Sequence, residues 1–379
     1  MKKILIALGH PAHFYLFKNV IRQLKAHGCL VEIVIKKKDV LESLLQNAGI
    51  PYHNILKEGR KNSKFSIGWA MVKRTWRMWS FCRHFKPDIL TGTNVEISFI
   101  GKLMGIPVIN VNEDDADVVP LYAKLSYPWA TEILTPIVCN CGKWDCKATK
   151  YESYHELAYL HPNNFTPDKS IVEKYFSIDM PYFIIRFAKL KAHHDSGVKG
   201  ISNEVARNII SILEPHGHVY ITSERELIPE FEKYRLTINP LDIHHIMAFA
   251  SLYIGDSQTM AAESGVLGVP FVRFNDFVGR IGYLTELEDK YHLGYGIKTN
   301  EETRLYKVIK DLITNENLKS TFYERRQRML SEKIDLAPYL AQYLENYPYN
   351  KTVFKEASPV YNPKNVIRKV KLIFSNGGH

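Results

Sequence analysis

Short apolar runs that alternate with helical patterns are the feature that most constrains what this chain can fold into. Residues 4–8 and 30–35 are runs rich in branched side chains, and apolar residues recur at helical spacing between them. After residue 180 the same alternation of strand-like and helical segments repeats. Its strand-like runs are YFIIRF, HVYIT, SLYIG and PFVRF. This alternation predicts an α/β protein whose parallel sheets carry helices on both faces.

The length of the chain predicts two domains, because 379 residues are more than one core usually serves. We expect an N-terminal Rossmann-like domain over 1–160, a C-terminal Rossmann-like domain over 161–345 and a basic tail over 346–379. The segment 139–179 has no clear period and is expected to be a connection. Two doubly wound domains that face each other leave a cleft at the carboxyl ends of their strands, where ligands bind.

Composition indicates a globular chain, with 45% hydrophobic and 24% charged residues. No apolar run approaches the roughly 18 residues that a membrane span needs. The opening MKKILIALGHPAHFY is too short for a signal-peptide core, and five cysteines do not predict a disulfide framework. We therefore expect a cytoplasmic protein.

The net charge of +10 is concentrated in two segments. Residues 57–86 contain nine Lys or Arg and one acid, and residues 350–379 contain six and one. Within them, 65–85 and 360–375 mix basic with apolar residues, which predicts peripheral association with the inner face of the cytoplasmic membrane. A core helix with an exposed basic stripe explains 65–85 equally well. No nucleic-acid motif accompanies these residues, so no nucleic acid is expected.

The loop GHPAHF follows the first predicted strand and opens the first predicted helix, where free N–H groups favour anions. His13 lies at this point, and its ordinary pKa near 6.5 suits a general base if a carboxylate is close. The alternative is a histidine that caps or packs the helix.

A cluster of acids, in VNEDDADVVP, follows the predicted strand at 107–111. Such a cluster could bind Mg²⁺ or hold a carboxyl group with a raised pKa. Alternatively, the acids complement the dipole of the next helix. We take Glu113 and Asp115, together with His13, as the catalytic candidates.

Cys139, Cys141 and Cys146 lie close together in CNCGKWDC but lack the paired C-x-x-C spacing of common zinc sites. With His155 or His161 they could form a metal site, although reduced surface or packing cysteines explain them better. We therefore predict no bound metal at this cluster.

Two stretches of the second half offer groups suited to a ligand that carries phosphate. In RFAKLKAHHDSG, Arg186 and Lys189 follow a strand where a diphosphate would lie between the domains, although a solvated basic loop is the alternative. In GDSQTMAAESGVLGVP, Gly255 permits a sharp turn, and Asp256 or Ser257 caps the following helix.

Four runs carry a resemblance to a known family: PAHFYLFKNVIRQL, YHELAYLHPNNFTPD, GDSQTMAAESGVLGVP and RFNDFVGR. They span most of residues 1–345. In these runs the chain is similar to GT-B fold proteins. It most resembles a domain-of-unknown-function family of predicted bacterial and archaeal glycosyltransferases, grouped with the non-hydrolysing UDP-N-acetylglucosamine 2-epimerases. The resemblance implies a GT-B fold, with two Rossmann-like domains across a cleft.

More distantly, Glu263-x4-Gly268-x-Pro270 resembles the donor-site signature of GT-B enzymes such as the N-acetylglucosaminyltransferase that forms lipid II. By that likeness Glu263 would hold the ribose hydroxyls of UDP. His13 would fall where that enzyme's glycine-rich loop carries a histidine proposed as base. The chain departs from the pattern just before His13, where Pro-Ala replaces Gly-Gly.

The epimerases also share Asp256 and Ser257 before the glutamate. Alignment of KPDILTGT and IPVINVNED with the corresponding epimerase runs puts Thr93 and Asn112 where acids would be expected, although Glu113 could compensate after a one-residue slip. This departure argues against epimerase chemistry.

The primary hypothesis is a glycosyltransferase that moves a sugar from a nucleotide sugar, UDP-linked by the resemblance, to a cell-envelope polysaccharide or lipid-linked acceptor. The alternatives are a UDP-N-acetylglucosamine 2-epimerase-like enzyme and a non-catalytic sugar- or lipid-binding protein. No tightly bound cofactor is expected, and Mg²⁺ is compatible but not required. The residues expected to bind the nucleotide sugar are Arg186, Lys189, Ser223, Gly255, Asp256, Ser257, Gln258, Thr259, Glu263 and Arg280.

Overall fold

The apolar runs form strands of two separate parallel sheets, as the alternating pattern predicts. The structure is a computed structural model that describes residues 1–36, 39–56, 64–188 and 200–348, with side chains except at 39, 56 and 64–71. The strands are β1 (Lys3–Leu8), β2 (Leu30–Lys36), β3 (His53–Leu56), β4 (Ile89–Gly92), β5 (Val108–Val111), β6 (Glu132–Pro136), β7 (Ala148–Tyr151), β8 (Tyr182–Phe187), β9 (His218–Ser223), β10 (Leu252–Gly255), β11 (Phe271–Phe274) and β12 (Gly294–Ile297).

Helices connect these strands and cover the sheets. They are α1 (Pro11–Ala26), α2 (Asp39–Asn47), α3 (Lys64–Phe85), α4 (Val95–Met104), α5 (Pro120–Ser126), α6 (Leu157–Leu160), α7 (Lys169–Glu173), α8 (Asn203–Leu213), α9 (Ile243–Phe249), α10 (Gln258–Leu267), α11 (Gly282–Thr285), α12 (Glu302–Ile313), α13 (Leu318–Glu332) and α14 (Leu336–Asn346).

The first sheet has the order β3-β2-β1-β4-β5-β6-β7, and the second has the order β12-β11-β10-β8-β9. All neighbouring strands run parallel, for example β1 with β4 and β8 with β10. In each sheet the order in which strands are added changes side at one point. This switch point lies between β1 and β4 in the first sheet and between β8 and β10 in the second. In doubly wound sheets the crevice outside the strands' carboxyl ends at such a point binds ligands. The α/β prediction of two doubly wound halves is confirmed.

Helix α10 shows how local sequence sets an element. The Ser257 side chain caps its start by accepting from the Met260 N–H, and Gly268 ends it at φ 83° in the left-handed region. A Cβ at Gly265 would lie 2.8 Å from the Phe271 ring, so the small residues let α10 pack closely on β11.

The last described helix, α14, packs on the first half of the molecule. Helix α14 packs against α1 and α6 of the first half, whereas the predicted boundary at 345 groups it with the second half. The Ser153 hydroxyl donates to the Ile334 carbonyl, and Asp335 accepts from the amides of Asn163 and Asn164. Two crossing segments, near 151–165 and 332–336, thus join the halves.

The predicted connection at 139–179 contains strand β7, which the sequence analysis did not predict. This strand is polar and lies at the sheet edge, so it lacks the apolar signature of a buried strand. Most of the predicted basic tail, including 360–375, lies outside the described residues. None of the described helices is long and apolar enough to cross a membrane.

Candidate functional site

His13 and Thr93 meet where the first sheet reverses, at the carboxyl ends of β1 and β4. Nδ1 of His13 accepts from the Gly9 N–H at 3.2 Å, and the Thr93 hydroxyl lies 2.6 Å from the same nitrogen. A neutral imidazole that accepts through Nδ1 carries its proton on Nε2. The Thr93 hydroxyl also lies 2.9 Å from Nε2, so it faces both ring nitrogens. With its proton on Nε2, His13 is a hydrogen-bond donor there, whereas the predicted general base would need to accept a proton.

Arg186 and the start of α10 lie together where the second sheet reverses. Arg186 pairs in register with Gly255, and its guanidinium donates to the Thr222 hydroxyl at 2.7 Å and forms an ion pair with Glu224. Its Nε is buried and has no hydrogen-bond partner among the described residues. The predicted residues Ser257, Gln258 and Thr259 are partly exposed at the N-terminus of α10. This end of the sheet offers several donors to an anion.

Asp256 holds a loop in place. Its two carboxylate oxygens accept from the backbone N–H groups of Ala188, at 2.6 Å, and Ile201, at 3.2 Å. Burial raises the pKa of Asp256 to about 6. Asp256 therefore binds both flanks of the segment that contains Lys189, which itself lies outside the described residues.

Two further predicted ligand residues make contacts of their own, although Ser223 lies between Thr222 and Glu224, the two partners of Arg186. The Ser223 hydroxyl closes a turn with the backbone of Arg225, and the exposed Arg280 stacks over the Phe277 ring with 5.5 Å to its centroid. Neither contact indicates a ligand.

Glu263 is 4% exposed and joins three elements. Its Oε1 accepts from the Tyr159 hydroxyl of α6 at 2.8 Å and lies 3.0 Å from Nε2 of His244 on α9. Tyr15 of α1 packs edge-on against His244 with ring centroids 4.6 Å apart. Among the described residues no hydrogen bond reaches Oε2, so one carboxylate oxygen is left for a ligand.

Glu113, whose side chain is 15% exposed, and the buried Glu156 are two acids beside His155. Oε2 of Glu113 accepts from the His155 N–H at 3.0 Å, and Oε1 lies 3.3 Å from its ring Nδ1. Burial, then the charge of Asp114, raises the pKa of Glu113 well above its usual range. Burial, then the charge of Glu113, does the same to the pKa of Glu156, which is 1% exposed.

The charge of Glu113 disfavours ionisation of Glu156, so burial and this like charge act in the same direction on the pKa of Glu156. Burial lowers the pKa of His155 to about 3, which keeps its ring neutral. Oε2 of Glu156 is buried and unpartnered among the described residues. Tyr283 of α11 lies near both acids, whose charges add to burial in raising its pKa. The pair therefore sits where the two halves meet.

Asp115, the third catalytic candidate, is engaged on both oxygens. They accept from the backbone N–H groups of Asn140 and of Gly282, each at 2.7 Å. Gly282 begins α11, so Asp115 links the first half to the second. These contacts favour a positioning role for Asp115.

The cysteine cluster binds no partner cysteine, and all three thiols are free. Cys139 donates through Sγ to the Glu113 carbonyl at 2.9 Å. Within the ranges that the structure describes, no group of three His, Cys, Asp or Glu side chains could hold a metal ion.

The sequence analysis missed Glu156, His155 (which it named only as a possible metal ligand), Tyr159 and His244 as site residues. The first three lie in the run YHELAYL, where charged and polar residues interrupt an apolar segment that is buried throughout. A glutamate within such a segment was the available signal.

Two Rossmann-like halves across a cleft, with a C-terminal helix that returns to the first half, define a GT-B fold. The chain belongs to the family described as "Protein of unknown function (DUF354)", whose model matches residues 2–357. No curated protein matches the chain.

Solved structures share this fold. MnaA from S. aureus with UDP is 14% identical with a TM-score of 0.66, and the match covers 91% of this chain and 95% of that one. The spinosyn rhamnosyltransferase SpnG with thymidine diphosphate is 12% identical with a TM-score of 0.60, covering 91% and 100%. The UDP-GlcNAc 2-epimerase of Neisseria meningitidis bound to UDP-GlcNAc is 16% identical with a TM-score of 0.55, covering 86% and 100%. At these identities the likeness shows the fold.

Proposed function

We propose that this protein is a glycosyltransferase that moves a sugar from a nucleotide sugar, UDP-linked, to a cell-envelope polysaccharide or lipid-linked acceptor. The observation that carries the proposal is that two acids with raised pKa values, Glu113 and Glu156, lie beside His155 and near Tyr283, where the first half meets the second. The second half adds an anion-favouring strand end around Arg186. Similar structures that contain UDP or thymidine diphosphate support a nucleotide ligand.

The second half would bind the nucleotide. Oε2 of Glu263 would accept from the ribose hydroxyls, while Tyr159 and His244 hold Oε1 in place. The diphosphate would lie against the N–H groups that open α10 and against Arg186, where it competes with Glu224 for the guanidinium.

The first half would supply the proton transfer. The acceptor oxygen bonds to the anomeric carbon as the bond from that carbon to the diphosphate breaks, and the nucleoside diphosphate leaves. The acceptor proton would pass to the carboxylate of Glu113 or of Glu156. His13, with its proton on Nε2, would donate a hydrogen bond to a sugar or acceptor oxygen.

Nucleotide binding is tested by thermal shift with UDP, dTDP, GDP and CMP. A ligand at 100 times its Kd adds about 2.7 kcal/mol to the free energy of unfolding. We expect UDP to raise the melting temperature of the wild type and to raise that of Glu263→Gln less. If none of the four nucleotides shifts melting, the proposal fails and the non-catalytic binding protein is favoured.

Catalysis is tested with Glu156→Gln, because Gln has the shape of a protonated Glu. We expect kcat to fall by about 10²–10⁴ while the melting temperature is kept. UDP release from UDP-sugars, with cell-envelope fractions as acceptor, measures the rate. The control is Glu204→Gln on the exposed surface of α8. Wild-type turnover in Glu156→Gln would remove Glu156 from the mechanism.

One observation also favours a UDP-N-acetylglucosamine 2-epimerase-like enzyme. A carboxyl pair with one proton can donate a proton at one position and accept one at another, without any acceptor sugar.

The positions where the epimerases would be expected to carry acids argue against this alternative. Thr93 contacts His13 there, and Asn112 donates to the Tyr127 hydroxyl at 2.8 Å. NMR of UDP-GlcNAc with the protein alone separates the two: a new sugar nucleotide supports the epimerase, and an unchanged spectrum supports the transferase.

A further inference from the structure

An apolar groove of about 570 Å³ runs between α3 and α4 on the outside of the first half. Its walls are almost entirely apolar, and three of its large side chains face solvent. Val72 is 58% exposed, Trp76 is 64% exposed and Leu103 is 71% exposed. Monomeric soluble proteins rarely leave contiguous apolar surface of this kind uncovered.

The apolar surface continues beyond the groove. Phe99 of α4 packs against Trp129, which is 41% exposed, with ring centroids 5.7 Å apart. Leu121 on α5, which packs against α4, is 58% exposed. We name this surface, formed by Val72, Trp76, Leu103, Leu121 and Trp129, the α3–α5 face.

The three helices that form this face carry mostly basic charge. Helices α3, α4 and α5 together contain seven Lys or Arg and a single acid, Glu96. Glu96 is buried and forms ion pairs with Lys36 at 3.1 Å and Arg74 at 2.6 Å. No acid of these three helices is therefore exposed, while Lys102 is exposed next to Leu103.

We propose that the α3–α5 face docks on the surface of a bilayer that contains anionic phospholipid. Trp76 and Leu103 would enter the headgroup boundary, and the surrounding Lys and Arg side chains would contact lipid phosphates. Arg83 already stacks over Trp79 with 4.9 Å to the ring centroid, the pairing of cation and aromatic ring expected at headgroup level. A second copy of the chain fits less well, because a symmetric contact would bring two basic surfaces together.

Sedimentation of the full chain with vesicles of phosphatidylcholine, with and without phosphatidylglycerol, tests this proposal. We expect binding only to the vesicles with phosphatidylglycerol, and weaker binding in high salt, because each basic residue strengthens it by about fivefold through a salt-screened attraction. Trp76→Asp and Leu103→Asp are each expected to weaken binding by about tenfold or more, since the apolar side chain no longer enters the boundary.

The matched control is Met180→Asp, which changes a 52% exposed apolar residue of the second half and should bind as the wild type does. Because all three side chains are exposed, equal melting temperatures are expected. Unchanged binding of Trp76→Asp and Leu103→Asp would place the lipid contact elsewhere and overturn the proposal. A dimer of the wild type that Trp76→Asp converts to monomer, with vesicle binding unaffected, would also overturn it. Neither result depends on the reaction proposed above.

Discussion

At the scale of single residues, burial and hydrogen-bond partners separate carboxyl groups that look alike in the sequence. Asp115 and Asp256 each accept two backbone N–H groups, so they hold the chain in place. Burial raises the pKa of both Glu113 and Glu156 well above the usual range. Glu263 has two donors on one oxygen only. Partners therefore decide which acids stabilise the fold and which are available for chemistry.

The raised pKa of Asp256 gives a prediction about pH. Because the folded state binds this proton more tightly than the unfolded state, the contribution of Asp256 to stability falls as pH rises from about 4 to about 6. Asp256→Asn lacks this titration. The stability difference, wild type minus variant, should therefore decrease by about 2 kcal/mol between pH 4.5 and pH 7.5.

Urea denaturation of both proteins at the two pH values measures this change. A difference that stays constant or grows with pH would show that Asp256 does not have a raised pKa.

At the scale of elements, glycines and small residues decide how closely α10 approaches its neighbours. A Cβ at Gly268 would lie 2.7 Å from Cδ of Arg326, whose Nε donates to the Val266 carbonyl at 2.7 Å. The C-terminal end of α10 therefore packs against α13 and is hydrogen-bonded to it. The N-terminal end of α10 lies at the carboxyl end of β10. This arrangement keeps the N-terminus of α10 at the candidate site.

Gly268→Ala should therefore destabilise the protein more than a glycine change that is matched in backbone conformation. Gly28 has the same φ of 83°, and a Cβ added there would meet no atom within 4 Å. We expect Gly28→Ala to cost about 1 kcal/mol from the left-handed conformation alone. Gly268→Ala should cost at least about 1 kcal/mol more, because Arg326 must move. Thermal denaturation of the two variants compares them, and equal losses would refute the packing argument.

At the scale of the whole molecule, a buried lysine joins the two halves. Lys333 is 1% exposed and pairs with Glu152, at 3.0 Å, and with Glu286, at 2.8 Å. Its ammonium also lies 5.0 Å from the centroid of the Tyr154 ring. Glu152 belongs to the crossing segment of the first half and Glu286 to the second half, so this one charge connects both.

Lys333→Met should cost up to about 3–5 kcal/mol, because it leaves the buried carboxylate of Glu286 without its buried cation. The control is Lys290→Met, since Lys290 pairs with the same Glu286 at 3.1 Å but is 43% exposed. An exposed pair is worth less than about 1 kcal/mol. Urea denaturation of both variants measures the two losses, and similar values would mean that the pairing of Lys333 does not stabilise the contact between the halves.

The sequence by itself determined the alternation of strands and helices in both halves, although not strand β7, and the ends of the strands where ligand groups would lie. Periodicity is a local signal, and it placed His13, Glu113 and Arg186 at those ends, whereas Glu263 was singled out by the resemblance to a donor-site signature. The tertiary structure alone decided that Glu156 belongs with Glu113, that Tyr159 and His244 hold Glu263, and that α14 returns to the first half. Those contacts join residues far apart in the chain, and the raised pKa values depend on desolvation by both halves together, which no local pattern records.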